Sequence, residues 1–206
     1  MIRTVGARVV LLFLFSSMLS AQTSRFSFSA NVTGNFSVES EGNGTSQTPS
    51  NSLGLLGTFT YSLTRKSAFA LNYGVTRNSQ YFVTNNSATG ALEYFAVQTN
   101  INEITANYAY TPWSSRRFSP YLLLGGGVLL FNPTGASYGS NSAVDQKLGA
   151  ALYGVGTDVR ITRKLGLRVQ YRGLFYKAPD FSVPGLDTGS AGHLAEPSIG
   201  LVYHFH

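Results

Sequence analysis

The chain has 206 residues and no cysteine, so it suits a single domain and excludes both a disulfide framework and a thiolate-bound metal. Only 12% of its residues are charged, against roughly 25% in soluble domains, while 22 glycines and 13% aromatics suit short turns and a surface that does not meet water everywhere. The formal charge is +6, falling to 13 − 9 = +4 without Arg3 and Arg8, and so mild an excess does not point to nucleic acid.

Arg3 and Arg8 precede an apolar run, Val9–Phe15, and a small-residue stretch, Ser16–Ala21. That is the layout of a secretory signal peptide. The run is well short of the ~20 apolar residues a spanning helix needs. The reading is therefore a signal peptide over 1–21, cleaved after Ala21, and a mature chain of one domain over 22–206.

From Arg25 onward the chain alternates with period two, the mark of strands with one apolar and one polar face. The first predicted strand sets Phe26, Phe28, Val32 and Phe36 against Ser27, Ser29, Asn31 and Thr33. The second sets Leu53, Leu55, Phe59 and Tyr61 against Thr58, Thr60 and Ser62. The third has Phe69, Leu71, Tyr73 and Val75 opposite Ala70, Asn72, Gly74 and Thr76. The fourth has Ile104, Ala106, Tyr108 and Tyr110 opposite Glu103, Thr105 and Asn107. Phe95, Val97 and Ile101 have the other parity, which predicts a bulge or a strand start near Asn102.

The fifth strand, Tyr121–Phe131, is apolar on both faces. Leu122, Leu124, Val128 and Leu130 are assigned outward, with Gly125 and Gly127 inward. The sixth carries Tyr153, Val155, Val159 and Ile161 against Gly154, Gly156, Asp158 and Arg160. The seventh carries Leu165, Leu167, Val169, Tyr171 and Phe175 against Arg168, Gln170 and Arg172. The eighth carries Ile199, Leu201, Tyr203 and Phe205 against Ser198, Gly200, Val202 and His204.

Links at Arg65–Ser67, Pro112–Ser119 and Thr162–Lys164 are short and basic. Those at Glu39–Asn51, Val83–Tyr94, Asn132–Gln146 and Lys177–Gly192 are long and polar. Short periplasmic turns and longer external loops are the outer-membrane pattern. An even number of strands closes the sheet, as a bilayer without water for backbone groups demands. The fold predicted is all-β: an eight-stranded antiparallel up-and-down transmembrane β-barrel. A soluble calyx of the lipocalin type is the alternative, with its apolar face turned inward.

Several runs carry a resemblance: Ser119-Pro120-Tyr121 leading to Gly125-Gly126-Gly127, Gly154–Thr162, Leu167–Arg172 and Gly200–Phe205. Together they resemble the outer-membrane protein β-barrel domain family, the small OmpA- and OmpX-like barrels and opacity-type surface proteins. The resemblance implies residence in the bacterial outer membrane and insertion by its assembly machinery, with Tyr203 and Phe205 as the terminal aromatic signal. His206 after Phe205 departs from that ending. The family carries no common catalytic residues, so none is transferred.

Narrow eight-stranded barrels are filled by side chains. The inward charges Glu103, Asp158, Arg160, Arg168, Arg172 and Glu196 therefore read as a lumen network whose members neutralise one another. Arg77 and Lys147, outward at the external ends of their strands, are candidate contacts for lipopolysaccharide phosphates. His193, Glu196 and Ser190 are the sole set with the chemistry of a lipid-modifying enzyme, and no motif surrounds them. His204 and His206 share a face, with no carboxylate beside them to suggest a metal site. The expectation is a monomeric, non-enzymatic surface barrel without cofactor or metal. Its partners would be membrane lipids, lipopolysaccharide and an external molecule met by the loops. A narrow pore or a conduit for small or apolar molecules is the alternative.

Overall fold

The computed structural model describes residues 25–85, 91–134, 137–138, 141–183 and 186–205. The expected signal segment, 1–21, lies outside the described residues, as does His206. The strands are β1 (Phe26–Ser37), β2 (Ser40–Gly42), β3 (Thr45–Pro49), β4 (Ser52–Ser62), β5 (Ser67–Asn85), β6 (Leu92–Tyr110), β7 (Phe118–Pro133), β8 (Ser137–Tyr138), β9 (Asn141–Ser142), β10 (Gln146–Arg160), β11 (Leu165–Lys177) and β12 (Ala191–His204). Eight of them, β1, β4, β5, β6, β7, β10, β11 and β12, each pair antiparallel with the next, and β12 pairs back to β1. The ring has no free edge, so every barrel strand has a ladder on both sides.

The apolar residues of the alternation face out. Phe28, Val32, Leu55, Leu71, Tyr73, Ile104, Leu124 and Val155 are exposed on the wall, while Ser29, Asn31, Thr58, Asn72, Thr105 and Gln170 are buried inside. A calyx with an apolar interior ligand face is thereby excluded. On β7, Leu122, Leu124 and Val128 are exposed, and Tyr121, Leu123 and Leu129 are buried. The β7 glycines serve close strand approach. A Cβ at Gly125 would lie 2.1 Å from the Ala106 carbonyl oxygen of β6. Gly200 of β12 is equally tight, 2.1 Å from the Ala30 carbonyl oxygen.

No bulge occurs near Asn102. The β5–β6 register runs unbroken from Ser67↔Tyr110 to Asn85↔Leu92. Val97 and Ile101 keep the inward parity of Glu103 and are simply buried. The lumen changes character along its axis, and the parity of the strand does not. Its half nearer the short turns is polar. Its half nearer the long links is an apolar core of Phe82, Val97, Ile101, Leu129, Phe131, Leu148, Leu152 and Leu174.

The long links are more ordered than their polarity suggests. Asn43 and Gly44, both at positive φ, turn β2 into β3, as an Asn-Gly pair does in a hairpin. β3 then continues the wall along the upper part of β5. Residues 178–183 and 186–190 lie over the barrel as a strap that seats Phe181 and Leu186 in the apolar core, at 0% and 1% exposure. Gln146 clamps this strap. Its Oε1 accepts from the Asp180 and Phe181 amides, both at 3.1 Å, and its Nε2 donates to Asp180 Oδ1 at 3.0 Å.

Candidate functional site

The lumen holds two ion-pair layers. Nearer the turns, the Thr162–Lys164 turn sets β10 against β11 so that Asp158 lies opposite Arg168. Arg168 grips Asp158 with two hydrogen bonds, Nε to Oδ1 and Nη2 to Oδ2, both 2.8 Å, and donates a third to Ser29 Oγ at 3.2 Å. Its guanidinium also lies over the Tyr121 ring, 5.5 Å from the centroid. The Tyr121 hydroxyl donates to Gln170 Oε1 at 3.1 Å. This layer floors a vestibule of about 120 Å³ that opens towards the turns and is lined by Thr58, Asn72 and Asn107.

Four residues further along β11, about 13 Å of strand, Arg172 forms the second layer. Gly154 opposite it has no side chain, so the long arginine is free to reach across the barrel. Its Nη1 and Nη2 donate to Glu103 Oε1 and Oε2 at 2.9 and 2.7 Å, and Nη2 also donates to Glu196. Glu103 additionally accepts from the Thr105 hydroxyl at 2.6 Å. Arg172 is only 1% exposed and both glutamates 4%. The space left beside the triad is about 10 Å³, room for a single water at most. Desolvated charges of this kind persist because a bidentate geometry offsets their lost hydration.

Arg160 is not in either layer. It ends β10 opposite Gly166, is exposed, and lines the mouth of the barrel with Arg25, Arg65 and Arg163. Water reaches it there, so nothing forces it to pair. Arg77 and Lys147 both lie exposed on the outer wall. Arg77 Nη2 donates to the Gln98 side chain. β5 and β10 are separated by β6 and β7, so three strand spacings, ~14 Å, lie between the backbones that carry the two cations. Asn100, Asn102 and Asn132 stand on the wall between them, with Asn102 donating to Asn132 at 3.2 Å.

The residues of the enzyme alternative are not brought together. His193 lies on the outer wall, its Nε2 3.0 Å from the Tyr153 hydroxyl and its ring 4.7 Å from that of Phe175. Glu196 points inward to Arg172, and the Ser190 hydroxyl donates to the Glu41 carbonyl oxygen. Tyr203 is exposed on the last strand, edge-on to Phe205 at 5.2 Å. The Phe205 amide donates to the Phe26 carbonyl oxygen where the ring closes.

Sequence reasoning missed the upper seal. Phe181, Val183 and Leu186 were the available signal: three large apolar residues in a link otherwise rich in Asp, Ser, Thr, Pro and Gly. They had no alternation to place them.

A closed ring of eight strands with an apolar outer wall and a charged, filled lumen is a membrane barrel, and the comparisons with known proteins agree. The profile of the family described as outer membrane protein beta-barrel domain matches residues 8–205. The chain belongs to that family. No curated protein matches it in sequence. Among solved structures, Neisserial surface protein A is 16% identical, with 89% of this chain and 100% of that one covered and a TM-score of 0.61. OprG from Pseudomonas aeruginosa is 15% identical over 91% and 99%, with a TM-score of 0.64. Ail of Yersinia pestis, in complex with the heparin analogue sucrose octasulfate, is 15% identical over 89% and 100%, with a TM-score of 0.56. At such identities the likeness speaks for the fold. Family and fold together place this barrel in the bacterial outer membrane.

Proposed function

We propose that this barrel is a non-enzymatic surface protein, closed through its lumen, that acts through the platform of its long links. The observation that carries this reading is the lumen itself. Two ion-pair layers and an apolar seal succeed one another along the axis, and only about 10 Å³ is left beside the Arg172 triad. The platform bears Glu39, Glu41, Glu93, Asp145, Asp180 and Asp187 against Arg77, Lys147 and Lys177. Ser46 and Thr48 donate to Glu39 and hold its carboxyl below the usual range, so it stays charged. A platform with this excess of carboxylates favours a basic or neutral external partner over a sulfated polyanion. The signal peptide, residues 1–21, is removed on export in this reading, and Tyr203 and Phe205 present the terminal strand to the assembly machinery. The test is conductance across a planar lipid bilayer together with binding of basic and sulfated ligands to intact cells. The expected result is no steady channel current and no heparin binding. A stable open channel from the unaltered protein overturns the closed-lumen reading.

Arg77 and Lys147 are assigned to separate lipopolysaccharide phosphates at the outer rim. Arg77→Ala with Lys147→Ala should then lower the thermal stability gained on adding lipopolysaccharide. An unchanged gain removes the assignment.

A second reading, a conduit for small apolar molecules, rests on one observation. The outer wall is indented by about 560 Å³ beside Leu53, Leu55 and Val75. Leu55, Val75, Thr76 and Ile101 line both this indentation and the small space at the Arg172 triad. Uptake of a fluorescent fatty acid by proteoliposomes no faster than by empty liposomes would dispose of it.

A further inference from the structure

The charges of the described chain are sorted along the barrel axis. All nine carboxylates lie in the lumen or on the side of the long links. The opposite end carries four arginines around the mouth, Arg25, Arg65, Arg160 and Arg163, and four cations outside it, Lys66, Arg116, Arg117 and Lys164. All eight are exposed. No side-chain carboxylate stands at that end; the nearest, Asp158, is taken by Arg168.

Two of the turns there are built alike. Leu63-Thr64-Arg65-Lys66-Ser67 and Ile161-Thr162-Arg163-Lys164-Leu165 share the Thr-Arg-Lys core. In the first, the Leu63 and Thr64 amides donate to the Ser67 carbonyl oxygen at 2.9 and 3.1 Å; in the second, Ile161 and Thr162 donate to Leu165 at 3.0 and 2.8 Å. In each, the threonine Oγ1 accepts the amides two and three residues on, at 3.1 Å each in the first turn and at 3.3 and 2.9 Å in the second. In both, the arginine lines the mouth and the lysine does not. Two separate turns of one design thus aim planar guanidinium forks into one concavity. That mouth is about 600 Å³, and Ser62, Thr64, Thr111, Ser114 and Ser119 add hydroxyls to its lining. It shares Ser62 and Thr111 with the vestibule that the Asp158–Arg168 layer floors.

We propose that the turn-end mouth is a binding site for a compact soluble polyanion bearing two or more phosphate or carboxylate groups. The chemistry is specific to this end. Guanidinium forks recognise either oxyanion bidentately, and the neighbouring hydroxyls satisfy the remaining lone pairs. Clustered cations in a concavity with low-dielectric walls focus potential on the mouth and draw in anions. The turns fix the backbones of both arginines through their own hydrogen bonds, so binding orders side chains and not the turns. Short turns face the periplasm in barrels of this class, so the ligand is one that the periplasm supplies. Arg160 and the hydroxyls face the axis, where a soluble molecule enters and the headgroups of the surrounding bilayer do not.

The experiment is isothermal titration calorimetry of the folded barrel in non-ionic detergent at low salt. The probes are inorganic tripolyphosphate and citrate, so that the stronger binder names the oxyanion. Arg65→Gln with Arg163→Gln should weaken binding at least tenfold, whereas Lys66→Gln with Lys164→Gln, the same change in net charge outside the mouth, should weaken it less than threefold. Both pairs lie in exposed turns, and heat-dependent gel migration confirms that each variant is folded. Equal losses from the two pairs would mean a diffuse field with no site and would overturn the proposal. So would no binding of either probe to the unaltered protein. A last arm separates the sources: nanodiscs of phosphatidylcholine should preserve binding, and so should discs with phosphatidylglycerol. Abolition by phosphatidylglycerol alone would assign the mouth to lipid headgroups and overturn the soluble ligand.

Discussion

Arg172→Met tests the closed lumen where it is most sensitive. The substitution keeps a long flexible side chain but removes the cation that two carboxylates share. Glu103 keeps its bond from Thr105, and Glu196 keeps no donor to its carboxylate among those described. Both then face one another at 4% exposure. Breaking one side of a buried ion pair costs about 3–5 kcal/mol, because the remaining charge is desolvated without compensation. With a urea dependence of about 2 kcal/mol per molar, the unfolding midpoint should fall by roughly 2 M. Adding Glu103→Gln and Glu196→Gln to the methionine variant should recover most of the loss, since neutralising a whole buried network is far less costly than leaving it half made. The assay is urea unfolding in detergent followed by far-ultraviolet circular dichroism, with gel migration as an independent measure of the folded fraction. A loss of under about 1 kcal/mol, the size of an exposed pair, would mean water reaches the triad and the closed lumen is wrong. A triple variant no better than the single one would refute the charge argument itself.

The Asp158–Arg168 layer is less secluded, with side-chain exposures of 17% and 7%, so a double-mutant cycle of Asp158→Asn and Arg168→Gln should show a coupling of about 1–3 kcal/mol; additive effects would show that the two do not interact. Phe181→Ala should cost about 3–5 kcal/mol and expose the strap to protease added to intact cells, whereas the unaltered protein should be cut within 134–145 first; early cutting of the unaltered strap would contradict its burial. Gln146→Ala should loosen the same strap at a cost of about 1–3 kcal/mol, measured by the same digestion. Gly200→Val should prevent closure of β12 on β1, because the first carbon of any side chain meets the Ala30 carbonyl oxygen; a heat-stable folded band from this variant would refute that reading.

What the sequence made legible was whatever follows from alternation and turn length. The Thr162–Lys164 turn gives the β10–β11 register directly, and with it the apposition of Asp158 and Arg168. Alternation alone also gives the outward face of every barrel strand but β7, which is apolar on both faces. It misleads at Val97 and Ile101, because period two separates two faces without saying that the inner one must be polar. Where the lumen becomes apolar, the contrast between faces vanishes and a continuous strand looks like a bulged one. The β2–β3 hairpin was legible in principle, since Asn43-Gly44 is a strong hairpin signal. The strap was not. Phe181 and Ser182 adopt positive φ, and their placement depends on Gln146, 34 residues away from Asp180 in sequence. Such a contact has no local signature. Arg160 shows the same limit from the other side: its parity is inward, but parity does not say how far along the axis water penetrates.

The three closures of the lumen rest on different side chains, and this determines how the barrel responds to damage. The Asp158–Arg168 layer is held by β10 and β11, the Arg172 triad by β6, β11 and β12, and the apolar seal by the strap and Gln146. An ion path needs all three to part at once. Removing any one charge therefore lowers stability without opening a channel, because the apolar seal excludes ions whether or not the charges beneath it are paired. Removing the seal alone leaves the two guanidinium layers in the lumen. A pore gated by one salt bridge would behave in the opposite way, with conductance rising as soon as that bridge is broken and stability changing little. Recording both quantities on Arg172→Met separates a barrel built to be filled from one built to open. Stability falling by some 2 M of urea while the bilayer current stays at baseline is the outcome that the layered lumen requires.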